Sequence, residues 1–196
     1  MNTDVINTQF MAAVLAGNAP LVEKLLPRAD PLDNNSFALQ VAAQRGYAEC
    51  VKLLIPVSDC KALNSAALKY AAEEGHAECV RALIPVSGPK WALNHALRLA
   101  AKNGHVECVA HLIPVSDPQN NHNEALQLAV IGQHHACVEV LYPVSNVHEA
   151  LSDLQTRMSA TPEVWHSLYD MIEAKRIKAV LGATLGEHGA PRSRKI

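Results

Sequence analysis

LIPVSD, at Leu54–Asp59, has close copies further along the chain, LIPVS at Leu83–Ser87 and again at Leu112–Ser116. The proline inside it lacks a backbone N–H and clashes with the preceding turn, so it closes a helix where it falls. Pro56, Pro85, Pro114 and Pro143 stand 29 residues apart, and Pro27 extends the series backwards. A fixed period of this length marks an array in which each unit buries its apolar face only against its neighbours.

Aligned on those prolines, the units share a column pattern. Phe10, Leu39, Leu68, Leu97 and Leu126 begin it, followed by the small pairs Ala42-Ala43, Ala71-Ala72, Ala100-Ala101 and Ala129-Val130. Gly17, Gly46, Gly75 and Gly104 come next, with Gln133 in the last unit, and then an apolar stripe such as Cys50, Val51, Leu54 and Ile55 at helical spacing. Each unit therefore reads as helix, glycine turn, helix. Asn7, Ser36, Ser65, Asn94 and Asn123, three positions before the first apolar column, read as N-caps of the first helices. The glycines can take the left-handed conformation that closes a helix, and Glu49, Glu78 and Glu107 place negative charge in the first turn of the second.

Composition agrees with packed thin helices. Of the 196 residues 49% are apolar but only 4% aromatic, so the core is made of Ala, Leu, Val and Ile. A net charge of −2 gives no global field toward nucleic acid or an anionic membrane. The sequence contains no apolar run long enough to span a bilayer, and MNTDVINTQF lacks the blocks of a signal peptide; the expectation is a cytoplasmic protein with no nucleic-acid or membrane partner.

ALKYAAEEGHAECVRALI from Ala67 and ALRLAAKNGHVECVAHLI from Ala96 resemble the ankyrin repeat in their alanine pair, their glycine-histidine and their apolar second helix, across residues 5 to 149. The chain departs from the family pattern in an Asn or Ser in place of the threonine-proline opening, and in a unit of 29 residues against about 33 for the family. The missing residues fall where the family builds a projecting β-hairpin, so a shortened loop with little or no strand is expected. The fold implied is an all-α, ankyrin-like solenoid of stacked helix-turn-helix repeats: five units at about 5–33, 34–62, 63–91, 92–120 and 121–149. Residues 150–181 read as C-terminal capping helices, one starting at Thr161-Pro162, and 182–196 as a disordered tail. The short units are also similar to bacterial and giant-virus ankyrin arrays, some of which are secreted effectors.

The chemistry-bearing residues read as structural. Cys50, Cys79, Cys108 and Cys137 recur in successive second helices, spaced too far for disulfides and without metal-ligand grouping, so they are buried free thiols; Cys60 falls in a loop, where it could be exposed. His76, His105 and His134 follow the glycine position, where the resemblance implies hydrogen bonds between units. Ser58, Ser87, Ser116 and Ser145 recur as equivalent copies and read as turn caps. No phosphate loop, carboxylate pair or zinc signature occurs, and the expectation is no enzyme, no cofactor and no metal.

Function is sought where the sequence varies over a fixed scaffold. Before the glycine stand Gln44-Arg45, Glu73-Glu74, Lys102-Asn103 and Ile131-Gly132, and beside them the column Gln40, Lys69, Arg98, Gln127. In ankyrin proteins the matching positions line the concave face and contact partners. The resemblance thus implies a monomeric protein-interaction module, an adaptor or inhibitor, whose partner-binding residues are Gln44, Arg45, Lys69, Glu73, Glu74, Arg98, Lys102, Asn103 and Ile131. Trp91 in a loop reads equally as an interface anchor that joins them and as a ring packed over a neighbouring loop. The alternatives are an effector or toxin-associated protein acting on a partner protein, and an enzyme within residues 150–196.

Overall fold

The computed structural model describes residues 3–157, which apart from 155–157 lie in the first of two compact units, Met1–Leu154 and Gln155–Ile196. Among the described residues the regular structure is helical, without strands. The helices come in pairs: α1 (Thr3–Leu15) with α2 (Ala19–Leu25), α3 (Asp33–Gln44) with α4 (Ala48–Leu54), α5 (Ala62–Glu73) with α6 (Ala77–Leu83), α7 (Lys90–Lys102) with α8 (Val106–Leu112), and α9 (Asn120–Ile131) with α10 (His135–Leu141). A further helix, α11 (Val147–Arg157), follows them in the chain. The expected helix from Pro162 to Leu181 and the tail at 182–196 lie outside the described residues.

Odd-numbered helices pack on one another in chain order from α1 to α9, and even-numbered ones from α2 to α10, giving two layers. Leu39, Leu68, Leu97 and Leu126 from the first layer and Leu54, Leu83, Leu112 and Leu141 from the second are each no more than 2% exposed. Burying a leucine of this kind contributes about 1.5–3 kcal/mol. The alanine pairs are sealed between them, where a larger side chain would force the layers apart.

The repeated proline acts as the opening motif predicts, with one refinement. Three of the second helices pass directly into a 3-10 turn containing it, at Ile55–Val57, Ile84–Val86 and Tyr142–Val144, as does α2 at Leu26–Arg28. At the other helix end, Gly46 N–H donates to Ala43 O at 3.3 Å and Tyr47 N–H to Ala42 O at 2.9 Å, the paired bonds of a Schellman closure. The same pair recurs at Gly17-Asn18, Gly104-His105 and Gln133-His134. Gly75 has φ +82°, and Gln133 is forced into the same region at +56°. An L residue with a side chain is strained there by about 1–2 kcal/mol.

The N-cap expectation is corrected. None of α3, α5, α7 and α9 has a side-chain cap. Ser36, Ser65 and Asn123 are left-handed, at φ of 60, 59 and 63°, rather than in the extended backbone of an N-cap, and Asn94 lies inside α7, which has already begun. The side chains turn instead to the far end of the same unit. Asn7 accepts from Asp30 N–H at 3.0 Å, Ser36 from Asp59 N–H at 2.8 Å, Ser65 from Gly88 N–H at 2.8 Å, Asn94 from Asp117 N–H at 2.8 Å and Asn123 from Asn146 N–H at 2.7 Å. Every one spans 23 residues and ties the first helix to the third residue after the proline. Ser36, Ser65, Asn94 and Asn123 are buried, so each is a polar staple inside the stack.

Linker chemistry sets how each first helix starts. The Asp59 carboxylate accepts from Lys61 N–H at 2.9 Å, and Asp30 and Asp117 bind Leu32 N–H and Gln119 N–H likewise. After that turn the chain passes through left-handed residues, Leu63, Asn64 and Ser65 with φ of 47, 62 and 59°, and Asn121 to Asn123 with 57 to 63°. Gly88 has no side chain to make such a turn, and α7 runs unbroken from Pro89. Phe10 is buried at 1%, while Leu15 is 43% exposed.

Two substitutions test these devices by urea denaturation. Ser65→Ala leaves Gly88 N–H without its acceptor and is expected to cost about 1–3 kcal/mol. Gln133→Gly relieves the left-handed strain and is expected to add about 0.5–1 kcal/mol.

Candidate functional site

A second polar ladder joins one unit to the next and fixes the surface on which any site is built. His76 Nε2 lies 2.9 Å from Gln44 O, His105 Nε2 2.9 Å from Glu73 O, and His134 Nε2 2.8 Å from Lys102 O. A carbonyl only accepts, so Nε2 carries the proton in all three. The ring then lies across the preceding glycine: a Cβ added at Gly46 or Gly75 would stand 2.5 Å from the imidazole Nδ1 of His76 or His105. Glycine is thus required both for its backbone conformation and for the room it leaves the ring. The expectation of histidine bonds between units holds. Tyr47 takes the same place one unit earlier, its Oη donating to Leu15 O at 3.4 Å.

The carbonyls held by these rings belong to Gln44, Glu73 and Lys102, the variable column before the glycine. Their side chains are exposed, as are those of Arg45, Glu74 and Asn103, with Trp91 at 49% and Ile131 at 43%. Lys69 and Arg98 are half-buried. The ten predicted residues are distributed along α3, α5, α7 and α9 and the turns that follow them. Three are already engaged within the chain. Arg98 pairs with Glu124 at 2.8 Å, Lys69 Nζ donates to Leu63 O at 3.2 Å, and Asn103 Nδ2 donates to Glu73 O at 2.7 Å. Gln40 and Gln127, expected in the adjoining polar strip, are buried at 6% and 3%. Gln127 Nε2 donates to His122 O at 2.7 Å and to Asp153 Oδ2 at 3.0 Å, so its amide is spent inside the fold.

Residues that the column reading passed over belong to the same exposed face. Phe37 is 49% exposed at the position of Ala66, His95 and Glu124, and Tyr70 is 36% exposed at the position of Val41, Leu99 and Leu128. Their signal was in the sequence, a ring where the other units place something smaller. His95 lies on α7 between Trp91 and Arg98; burial, then Arg98 and Lys69, hold its pKa below the usual imidazole value, with Glu124 and Glu73 acting the opposite way.

The thiols are packing groups. Cys50, Cys79, Cys108 and Cys137 are free and at most 1% exposed, in equivalent surroundings. Burial pushes Cys79 up to about 11 and Cys108 up to about 12, the neighbouring Glu78 and Glu107 adding to it. Cys60 corrects the sequence reading: it is buried at 9%, its Sγ donating to Ile55 O at 3.6 Å. Ser87 and Ser116 donate to Leu83 O and Leu112 O, each at 2.7 Å, and so cap the second helices. The buried hydroxyls of Ser58 and Ser145 have no hydrogen-bond partner. Among the described residues no group of three His, Cys, Asp or Glu is arranged to hold a metal ion, and no helix is long and apolar enough to cross a membrane.

Residues 10–94 match the family model for ankyrin repeats, in three copies. Residues 10–94 carry ankyrin repeats. The fold is an all-α ankyrin solenoid over the described residues, and His76, His105 and His134 each lock their unit to the one before. No curated protein matches the chain. Ankyrin repeats are generally protein-interaction modules and typically carry no catalytic activity.

Cys79 and Cys108 have folded-state pKa values above the ordinary thiol value of 9.0, so the stability they confer is complete below that pH and falls as pH climbs toward 11 and 12. Urea midpoints measured from pH 8 upward should drop more steeply for the native chain than for Cys79→Ala/Cys108→Ala. Gly75→Ala meets both the positive φ and the His105 ring, and is expected to lower stability by about 2 kcal/mol or more.

Proposed function

We propose that the chain works as an adaptor or inhibitor that binds another protein through the exposed face of α3, α5, α7 and α9 together with their loops. The observation that carries this reading is the contrast within each unit. Glycine and the alanine pair hold their places in three of these four units, and histidine in three, while the solvent-facing residue beside them runs Gln44, Glu73, Lys102, Ile131 and repeats in none. A column that changes charge and size on a fixed frame has no packing role to explain it.

Rigid presentation is the mechanism. The two polar ladders and the leucine layers order the backbone before any partner arrives, so binding costs little ordering entropy. Exposed Trp91 and Ile131 can be desolvated by a partner, and aromatic anchors of this kind carry a large share of interface energy. Arg45 and Lys102 add charge selection at the rim.

Affinity capture compares the wild type with Arg45→Ala/Trp91→Ala/Lys102→Ala. These are exposed positions, so stability should stay within about 0.5 kcal/mol of the wild type. The expected result is loss of a specific bound protein with helicity and unfolding midpoint retained. Equal capture by both chains rejects this face as the binding surface.

A further inference from the structure

The two central units differ from their neighbours at the edge where the first helices begin. Lys61 and Lys90 occupy one column, where the flanking units have Leu32 and Gln119, and Lys69 follows on α5. None of the three lysines takes part in an ion pair among the described residues. Close to them in the chain are large apolar side chains open to water, Leu63 at 56%, Trp91 at 49% and Tyr70 at 36%. Two contacts link the lysines along this edge. Lys61 Cγ would lie 3.9 Å from a Cβ at Gly88, beside the Pro89-Lys90 turn, and Lys69 Nζ reaches back to Leu63 O. The absence of an aspartate turn at Gly88 is what starts α7 early and sets Trp91 on this edge.

Resting on the reading of this face as a protein-binding surface, we infer that its occupant is an acidic peptide segment bearing large apolar side chains, seated across the starts of α5 and α7. The charges select the sign of the partner and the rings supply the buried anchors. A solvated lysine cluster would need no exposed leucine, tyrosine and tryptophan among its members. An apolar patch serving only a second copy of this chain would not need three lysines that take part in no ion pair among the described residues. A nucleic-acid strand could use the lysines and the rings but has no use for the exposed Leu63, and binding of an oligothymidylate is an outcome of the test below. His95 is the built-in reporter. It faces Lys69 and Arg98, and Glu73 and Glu124 on the neighbouring helices, so carboxylates arriving from a bound peptide raise its pKa.

The test selects displayed random peptides of about 16 residues on the full chain. The enriched sequences are then measured as free labelled peptides by fluorescence anisotropy, beside an oligothymidylate of similar length. Expected are peptides rich in Asp and Glu with Leu, Phe or Trp, weakened on going from about 50 mM to about 500 mM salt. Lys61→Glu/Lys90→Glu should bind them at least about tenfold more weakly. Lys24→Glu/Lys52→Glu, with the same change in net charge on the second helices, should bind as the wild type does. Both variants are checked for unchanged helicity and melting. In NMR titration the His95 ring should show a higher pKa with peptide bound. The inference is overturned by neutral or basic winners, by acidic peptides indifferent to the charge reversal, by an unmoved His95, or by oligothymidylate binding more tightly. If no peptide is enriched while the partner captured through Arg45, Trp91 and Lys102 still binds, the acidic-peptide assignment alone falls; if that capture fails too, the binding-face reading falls with it.

Discussion

An isolated 29-residue helical hairpin cannot bury its own apolar face, and its short loop leaves backbone amides that need acceptors inside the protein. Stacking meets the first need, and one residue per unit meets the second. A buried serine or asparagine at the start of the first helix accepts from the amide 23 residues later, just past the proline. The staple fixes where a unit ends, and so where its successor can begin. The Nε2–H of His76, His105 or His134 then reaches a carbonyl 32 residues back and fixes the spacing between units. The leucine layers supply the magnitude of stabilisation; the two ladders supply the register.

That register is what makes the outer surface useful. With helix ends, turns and spacing set by buried groups, Gln44, Glu73 and Lys102, two places before their glycines, lend the stack their backbone carbonyls and turn their side chains to solvent. Backbone and side chain are thereby separated: Glu73 O is held by both His105 and Asn103 while the Glu73 carboxylate faces water. Variation there is free of packing cost, and the surface can be tuned to a partner without disturbing the stack.

The sequence displayed the period, the helix pairs, the closing glycines, the free thiols and the loop without strands, because each follows from a local rule that repetition reinforces. It misdirected where the same residue type serves two roles. Serine and asparagine near a helix start ordinarily cap it, and only the three-dimensional position of the following loop shows that Ser36 or Asn94 reaches Asp59 or Asp117 instead. Gln40 and Gln127 look exposed by type, but the partners that bury Gln127 lie at His122 and Asp153, the latter on α11. Cys60 looked like a loop residue, and the proline turn folds over it. Of the exposed face, Trp91, Phe37 and Tyr70 were all visible as outliers in their columns, but that Phe37 and Tyr70 face water is shown only by the helix packing.

Native-state hydrogen exchange of the loop amides tests the stapled register most directly. Asp59, Gly88, Asp117 and Asn146 lie just past the proline turns, where unstapled amides exchange rapidly, yet each donates to a buried side chain. The account predicts protection of these four amides comparable to that of the second-helix interiors. Exchange as fast as in an open loop would contradict it, because the units would then be held in place by leucine packing alone.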